Sequence, residues 1–345
     1  MVMFHDSIMN VWLEHFKSSE IDSVDFNSLL TDTVSAMTPG FLRSLFKEWK
    51  EVAPTKREES KKFYKLNCAR WEKGFEALEF HIELCCSVGE DFISFIKESP
   101  DDNKKFRYEA IICNHAKACL ISREIYCLLT NGYPDGAEAR WRALHEVAVI
   151  SRFILEHGED CAERYLLHRT VEHLKIMEQF REHAKMLNQT PLSDEELVNL
   201  KPEVDILIKK YGKTFKKPYG WAYSALPPTK GSIQFKDIEK CVLLNHWRPY
   251  FTQACNHIHA GSLGLTPSRA LSESQTPTLL AGQSNSGMGQ PGHMTAISLM
   301  HATFPILQLV PLIDSNIYMK ILMETTNNVA EAFIAGKTKY VDWNS

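Results

Sequence analysis

Apolar residues recur every three or four positions through most of this chain, and two-residue alternation is nearly absent, so the pattern predicts helices and no sheet. The opening segment reads as short helices, Phe4–Lys17 and Phe26–Met37. A third starts at Thr38-Pro39, where threonine caps and proline suits the first turn, and ends at Pro54. A long helical tract runs from Lys56 to Glu98, with Gly74 and Gly89 as candidate breaks, and Ser99-Pro-Asp-Asp-Asn turns the chain into a second long helix, Asn103 to Thr130. Asn131-Gly-Tyr-Pro-Asp-Gly reverses it again. The central helix covers Ala137 to His157, with Gly158 as its C-terminal cap, and Asp160 opens a further helix to Leu187.

Beyond it, Leu192-Ser-Asp-Glu-Glu has capping-box character and starts a helix at Asp194 that ends at Tyr211. A loop of about twenty residues follows, long for a compact domain and therefore a candidate for function. A helix is then predicted over Phe235–Ala260, a loop over Gly261–Gly292, and final helices over His293–Ala335. The fold expected is all-α: an irregular multi-helix bundle with long central helices. Residues 1–55 make a small N-terminal helical extension and 56–345 the main helical domain.

The 345 residues suffice for one large or two modest domains. A net charge of -4 argues against a whole-surface polyanion binder, so any RNA contact needs a local basic patch. The nine cysteines are odd in number, form no C-x-x-C pair and lie in apolar helical patterns, which fits a reducing cytoplasm. The most apolar stretch, Ala296 to Ile313, is interrupted by His301, Pro305, Gln308 and Pro311. It reads as a buried helix broken or kinked by its prolines, not as a membrane span. No signal peptide is expected at Met1-Val-Met-Phe-His-Asp-Ser.

Candidate chemistry concentrates on the central helix. Ala139, Ala143, Val147, Ile150 and Ile154 share one stripe, Leu144, Ala148, Ser151 and Leu155 widen it, and Arg140 points into the middle of that apolar face. Arg142 and Glu146 form an i,i+4 pair on the other side, with Glu138 one turn earlier and His145 beside them. On the Phe235–Ala260 helix, Asn245, Arg248, Thr252, Asn256 and His259 recur as one polar stripe: either a pocket wall facing the central helix or an ordinary solvated face. Between these helices, Lys209 to Tyr223 interleaves five lysines, among them Lys213, Lys216 and Lys217, with aromatic residues that include Trp221. That composition suits single-stranded nucleic acid, or a loop pinned by its rings with its lysines in water. His168, Arg169, Glu172 and His173 cluster without the spacing of a metal site. The glycine-rich run Gly282–Gly292 lacks the lysine and the preceding strand of a P-loop. No metal and no cofactor are expected.

The ordered motifs Gly132-Tyr-Pro-Asp-Gly-Ala, Arg140-Trp-Arg-Ala-Leu-His-Glu, Tyr219-Gly-Trp-Ala, Arg248-Pro-Tyr and Asn256-His-Ile-His-Ala-Gly resemble a bacterial family, domain of unknown function 5677, over about Lys56 to Ala335. The resemblance implies an all-helical protein and supplies no reaction. Arg140 and His145, spaced R-x4-H, also resemble the R-x4-6-H motif of HEPN (higher eukaryote and prokaryote nucleotide-binding) ribonucleases, which are helical, usually dimeric and metal-independent. That resemblance implies a toxin or phage-defence nuclease acting on RNA, with no membrane partner. His145 would handle the proton, Arg140 the phosphate charge, and Arg142 and Glu146 would orient the site. Trp141 stands where HEPN proteins carry a small polar residue. The i,i+5 spacing also sets the two side chains roughly 140° apart, so they meet only by reaching or across a homodimer interface. The competing expectation is a non-catalytic helical module for ligand or protein binding, its pocket between the central helix and the Arg248–His259 segment.

Overall fold

The computed structural model describes residues 26–98, 101–190, 194–226, 231–259, 262–265, 269–274 and 279–338. Among the described residues there are eight α-helices and no strand. In chain order they are α1 (Phe26–Glu98), α2 (Lys105–Thr130), α3 (Pro134–His183), α4 (Asp194–Tyr211), α5 (Phe235–Cys241), α6 (Arg248–Asn256), α7 (Gly289–Leu309) and α8 (Ile313–Lys337). Contacts divide the chain into units of residues 1–63 and 64–345, the division falling within α1. The predicted helix Phe4–Lys17 lies outside the described residues. No helix among the described residues is long and apolar enough to cross a membrane.

Pro39 and Pro54, expected to open and end separate helices, both sit inside α1. Both are exposed, so the carbonyl that each ring leaves without an N–H partner is answered by water and not stranded in a core.

In the 64–345 unit, α1 buries Trp71, Phe75, Leu78, Ile82, Cys85, Val88, Phe92 and Ile96, a stripe in steps of three and four residues. α2 and α3 pack along one another, and α7 packs against α2, α3 and α8. α7 is buried around most of its circumference, from Met294, Ala296 and Leu299 to Ala302, Ile306 and Leu307. A helix so enclosed needs polar groups only where a neighbour answers them, and three ring N–H groups from three helices do so. His81 Nε2 on α1 lies 3.0 Å from the Ala296 carbonyl, which fixes the N–H on that nitrogen, while Nδ1 lies 2.8 Å from the Thr325 hydroxyl. His115 Nε2 on α2 lies 3.2 Å from the Thr303 hydroxyl, and that hydroxyl donates to the Leu299 carbonyl. The Trp141 indole N–H on α3 reaches the Met294 carbonyl at 3.0 Å and the Ser298 hydroxyl at 2.9 Å. The predicted buried helix is thus present. Pro305 lies inside it, and the chain leaves the helix only at Val310-Pro311, before α8.

The Phe333 ring on α8 lies in the slot left by Gly74 of α1 and Gly292 of α7. A Cβ at either glycine would approach ring carbons to 2.6 Å and 2.4 Å. Edge contact with Phe75 and a tilted contact with Trp71 hold the ring from the sides, so it has little room to retreat. Gly292→Ala therefore lowers the unfolding free energy by about 1–3 kcal/mol through overpacking. Gly136→Ala, where nothing lies closer than 3.7 Å to the added carbon, raises it by about 0.5 kcal/mol through the unfolded chain. Urea unfolding of the two variants tests this, and equal behaviour would refute the slot.

Candidate functional site

The chain enters α3 from the turn Asn131-Gly132-Tyr133, with Pro134 preset for the first helical turn. Gly158, at φ 78° and ψ -157°, breaks the helix where the sequence places its cap, and Glu159 accepts the backbone N–H groups of Phe106 and Arg107 at the start of α2. The buried face of the first segment is only part of the predicted one: Leu144, Val147, Ala148, Ser151 and Ile154 are buried as expected. It is centred on Ala137, Trp141, Leu144 and Ala148, while Ala139, Ala143 and Ile150 are half-buried. Trp141, the largest side chain here, sets this rotation because its N–H must reach α7.

The rotation turns Glu138 and His145 inward and Arg140 outward. Arg140, expected inside the apolar face, is instead 37% exposed and paired with Glu124 of α2. His145 is 2% exposed, with Nε2 2.8 Å from Glu239 of α5. Bonding to a carboxylate, that nitrogen carries hydrogen. The imidazole stacks on Trp141 at 5.3 Å and meets the rings of Phe235 and Phe251 at 6.1 and 6.0 Å. In this chain Arg140 and His145 therefore bind the carboxylates of two different helices.

Glu239 is fully buried, and its second oxygen takes the guanidinium of Arg248 at the start of α6. A lone buried carboxylate is costly, and a histidine and an arginine offset the charge here. A second buried glutamate repeats the scheme. Glu138 accepts from Arg269 at 2.8 Å and faces His257 at 3.5 Å, while Asp135 receives the Arg269 backbone N–H. Burial pushes the Glu138 carboxyl up, but the neighbouring His257 and the hydrogen-bonded Arg269 outweigh it and hold the group below its ordinary value. The His257 imidazole is raised in turn, mainly by the neighbouring Glu138. Sequence reasoning missed Glu239, His257, Arg269 and Glu124, and set Glu138 on the polar side of the helix with Arg142 and Glu146, whereas it is fully buried. A signal was present for two of them: Glu239 shares a helix face with Phe235, and Glu138 lies seven residues from His145, two turns along the same face.

Against the rings of His145 and Phe235 lies Phe251, itself 6% exposed. Arg142 and Arg248 both cover its ring, at 4.9 and 4.8 Å from the centroid, and Arg248 also lies 5.4 Å from Phe235. Arg142 donates to Glu146 at 3.0 Å, as the i,i+4 spacing predicts. The Arg142 and Arg248 side chains are 29% and 33% exposed, so part of each faces solvent. Burial raises the Glu146 carboxyl, opposed by Arg142, His145, Lys117 and Arg248. Burial also raises the Tyr219 phenol, which feels Glu146 and both arginines and so keeps its proton at neutral pH.

The single helix expected over Phe235–Ala260 is two helices joined by a 3-10 turn at Asn245–Trp247. Leu243, exposed and at φ 59°, takes the left-handed conformation that breaks it. The predicted polar stripe is therefore divided. Arg248 turns inward to Glu239, Asn256 is half-buried, and Thr252 and His259 are exposed.

In the lysine-rich loop, Lys213, Lys216 and Lys217 are exposed. The rings do the pinning: Phe215 is fully buried, and Trp221 is 4% exposed, edge-on to Phe153 and Tyr165. Trp221 is thus closed to a stacking base. The carbonyls of Lys216 and Lys217 accept from Lys175 and His168, tying the loop to α3. His168 also faces Glu172 at 3.5 Å, and no group of three His, Cys, Asp or Glu able to hold a metal occurs among the described residues.

Comparison with curated proteins gives no match, and comparison with solved structures gives none either. Residues 108–275 do match a family, a narrower span than the resemblance over Lys56–Ala335 but one that holds every motif quoted for it. The segment that carries both buried glutamates, Phe251 and its two arginines belongs to the Family of unknown function (DUF5677).

Proposed function

We propose that this chain is a non-catalytic helical module that binds a phosphate-bearing ligand, RNA being the partner class, where α3 meets α6. The observation that carries the reading is the pair of part-exposed arginines, Arg142 and Arg248, whose guanidiniums lie over one ring, Phe251. Arginine offers five donors in a planar fork, and only part of that capacity goes to Glu146 and Glu239, so each retains N–H groups for phosphate oxygens. Phe251 holds both planes in place and lowers the entropy lost when an anion arrives. The exposed Lys213, Lys216 and Lys217, in the loop that also carries Tyr219, add long-range attraction for a polyanion of a chain whose net charge is -4. A cytoplasmic setting belongs to the same reading. A HEPN-like nuclease would need Arg140 and His145 on one phosphate, whereas their side chains face Glu124 and Glu239.

Fluorescence anisotropy with a labelled single-stranded RNA oligonucleotide tests the proposal on the full chain. Arg142→Ala and Arg248→Lys each weaken binding about tenfold, the second because lysine keeps the charge but loses the planar fork. Unchanged circular dichroism confirms that both variants are folded. Binding indifferent to both substitutions refutes the arginine pair. RNA cleavage in EDTA that disappears in His145→Ala refutes the non-catalytic reading and returns the nuclease.

A further inference from the structure

We propose that Cys86 is a peroxide-reactive thiol and that Cys119 resolves its oxidised form into a disulfide joining α1 to α2. Among the nine cysteines this pair has a distinct setting. Cys86 is half-buried, and the Arg123 guanidinium lies 3.8 Å from its sulfur. Arg123 is itself held in place by Glu83 at 2.6 Å. Cys119, buried on α2 one turn before Arg123, lies across from Cys86, one turn after Glu83 on α1, and its thiol faces the His115 ring at 3.6 Å. A cation and a thiol thus converge on one sulfur that solvent still reaches.

The arrangement sorts the two thiols into different roles. The neighbouring Cys119 thiol lowers the Cys86 thiol below its ordinary value against the effect of burial, and Arg123 adds to the lowering. The neighbouring Cys86 and burial raise Cys119, which keeps its proton. Thiolate is the nucleophile, so Cys86 attacks first. Its sulfur takes one oxygen of hydrogen peroxide as the O–O bond breaks; the sulfur is oxidised to sulfenic acid and the peroxide is reduced to water. The sulfur of Cys119 then attacks the sulfenic sulfur, its proton leaves with the hydroxyl as a second water, and the S–S bond forms. Cys113 and Cys127 are exposed yet have no such neighbours described, which makes them internal controls for exposure alone.

The experiment treats the reduced full chain with about one equivalent of hydrogen peroxide at pH 7, blocks free thiols and maps peptides by mass spectrometry. The expected product is a Cys86–Cys119 disulfide with Cys113 and Cys127 still reduced. Cys119→Ser leaves a sulfenic acid on Cys86 that a dimedone probe captures. Arg123→Ala, at a half-exposed position, slows Cys86 oxidation about threefold while circular dichroism is unchanged. Oxidation of Cys113 or Cys127 at the same rate as Cys86 overturns the proposal. So does Cys86 oxidation that never reaches Cys119, or a rate unaffected by Arg123→Ala.

Discussion

Acidification from pH 7 to pH 5 removes about 2 kcal/mol of stability for each of three histidines, the buried His81 and His115 and the half-buried His301, and the protein unfolds between about pH 5.5 and pH 4. Burial lowers His81, His115 and His301 from the ordinary 6.5 to about 4. In the folded chain all three are neutral at pH 5, whereas in the unfolded chain they are mostly charged. The unfolded state therefore binds more protons, and stability falls as pH falls. Their contribution is complete above pH 6.5 and is lost progressively down to about pH 4. At 1.36 kcal/mol per unit, three such groups forfeit roughly 10 kcal/mol by pH 4, the size of a whole domain's stability. His293, also lowered by burial, acts in the same direction. His257 opposes them: its folded value is raised, so its contribution grows as pH falls toward its unfolded value. Glu138, held below its ordinary value, loses its contribution only at still lower pH. Urea unfolding free energies between pH 7 and pH 5 isolate the histidines. A slope of about 4 kcal/mol per pH unit at the steep part is expected, and His301→Phe removes about a third of it. A flat profile across this window would mean that these rings are charged or solvated in the folded protein.

The polar groups behind that pH dependence were readable as residues but not as partners. In the sequence His301 interrupts an apolar helix, and α7 is indeed buried around it. The sequence contained no signal that His81 and His115, each set in an apolar run of its own helix, would both find α7. Helix identity follows from local periodicity, whereas the rotation of a helix about its axis is decided by its largest side chains and their long-range bonds. Trp141 is the example. Once its indole locks to Met294 and Ser298, Glu138 and His145 must face inward and Arg140 must not. A stripe of small residues, Ala139 and Ala143, misled because alanine is as welcome on a half-buried face as in a core.

Breaks were legible where the backbone demanded a special residue and illegible where it did not. Gly158 adopts positive φ and ends the first segment of α3, as glycine at that place signals. Leu243 adopts a similar φ with no such mark, so the joint between α5 and α6 left no trace in the pattern of apolar positions. The opposite error occurred at Pro39 and Pro54, strong breaking signals that an exposed helix tolerated. The joint at Leu243 matters most for the candidate site. It lets Arg248 swing toward the buried Glu239, whereas on one unbroken helix the two would sit nine residues apart, on opposite sides.

Glu239→Ala lowers the unfolding free energy by about 3 kcal/mol, and a second substitution, His145→Phe, returns most of it. The single change strands two donors. His145, 3% exposed at its side chain, keeps an N–H aimed at an empty position, which costs about 1–3 kcal/mol. Arg248 loses its counter-charge, but its side chain is 33% exposed and can turn to water, so the cost stays at the low end of the 3–5 kcal/mol or so typical of a broken buried pair. Phenylalanine at 145 in the Glu239→Ala background removes the stranded imidazole and adds a ring where Trp141, Phe235 and Phe251 already supply aromatic walls. Replacing both members of a buried polar pair by apolar groups is close to neutral. Urea midpoints for the two singles and the double, analysed as a double-mutant cycle, give the coupling directly. RNA anisotropy on the same double variant then separates structure from chemistry. Retained binding with recovered stability makes the His145–Glu239 pair a brace for α5 against α3. Recovered stability with lost binding would place that pair in contact with the ligand, which the enclosure of His145 argues against.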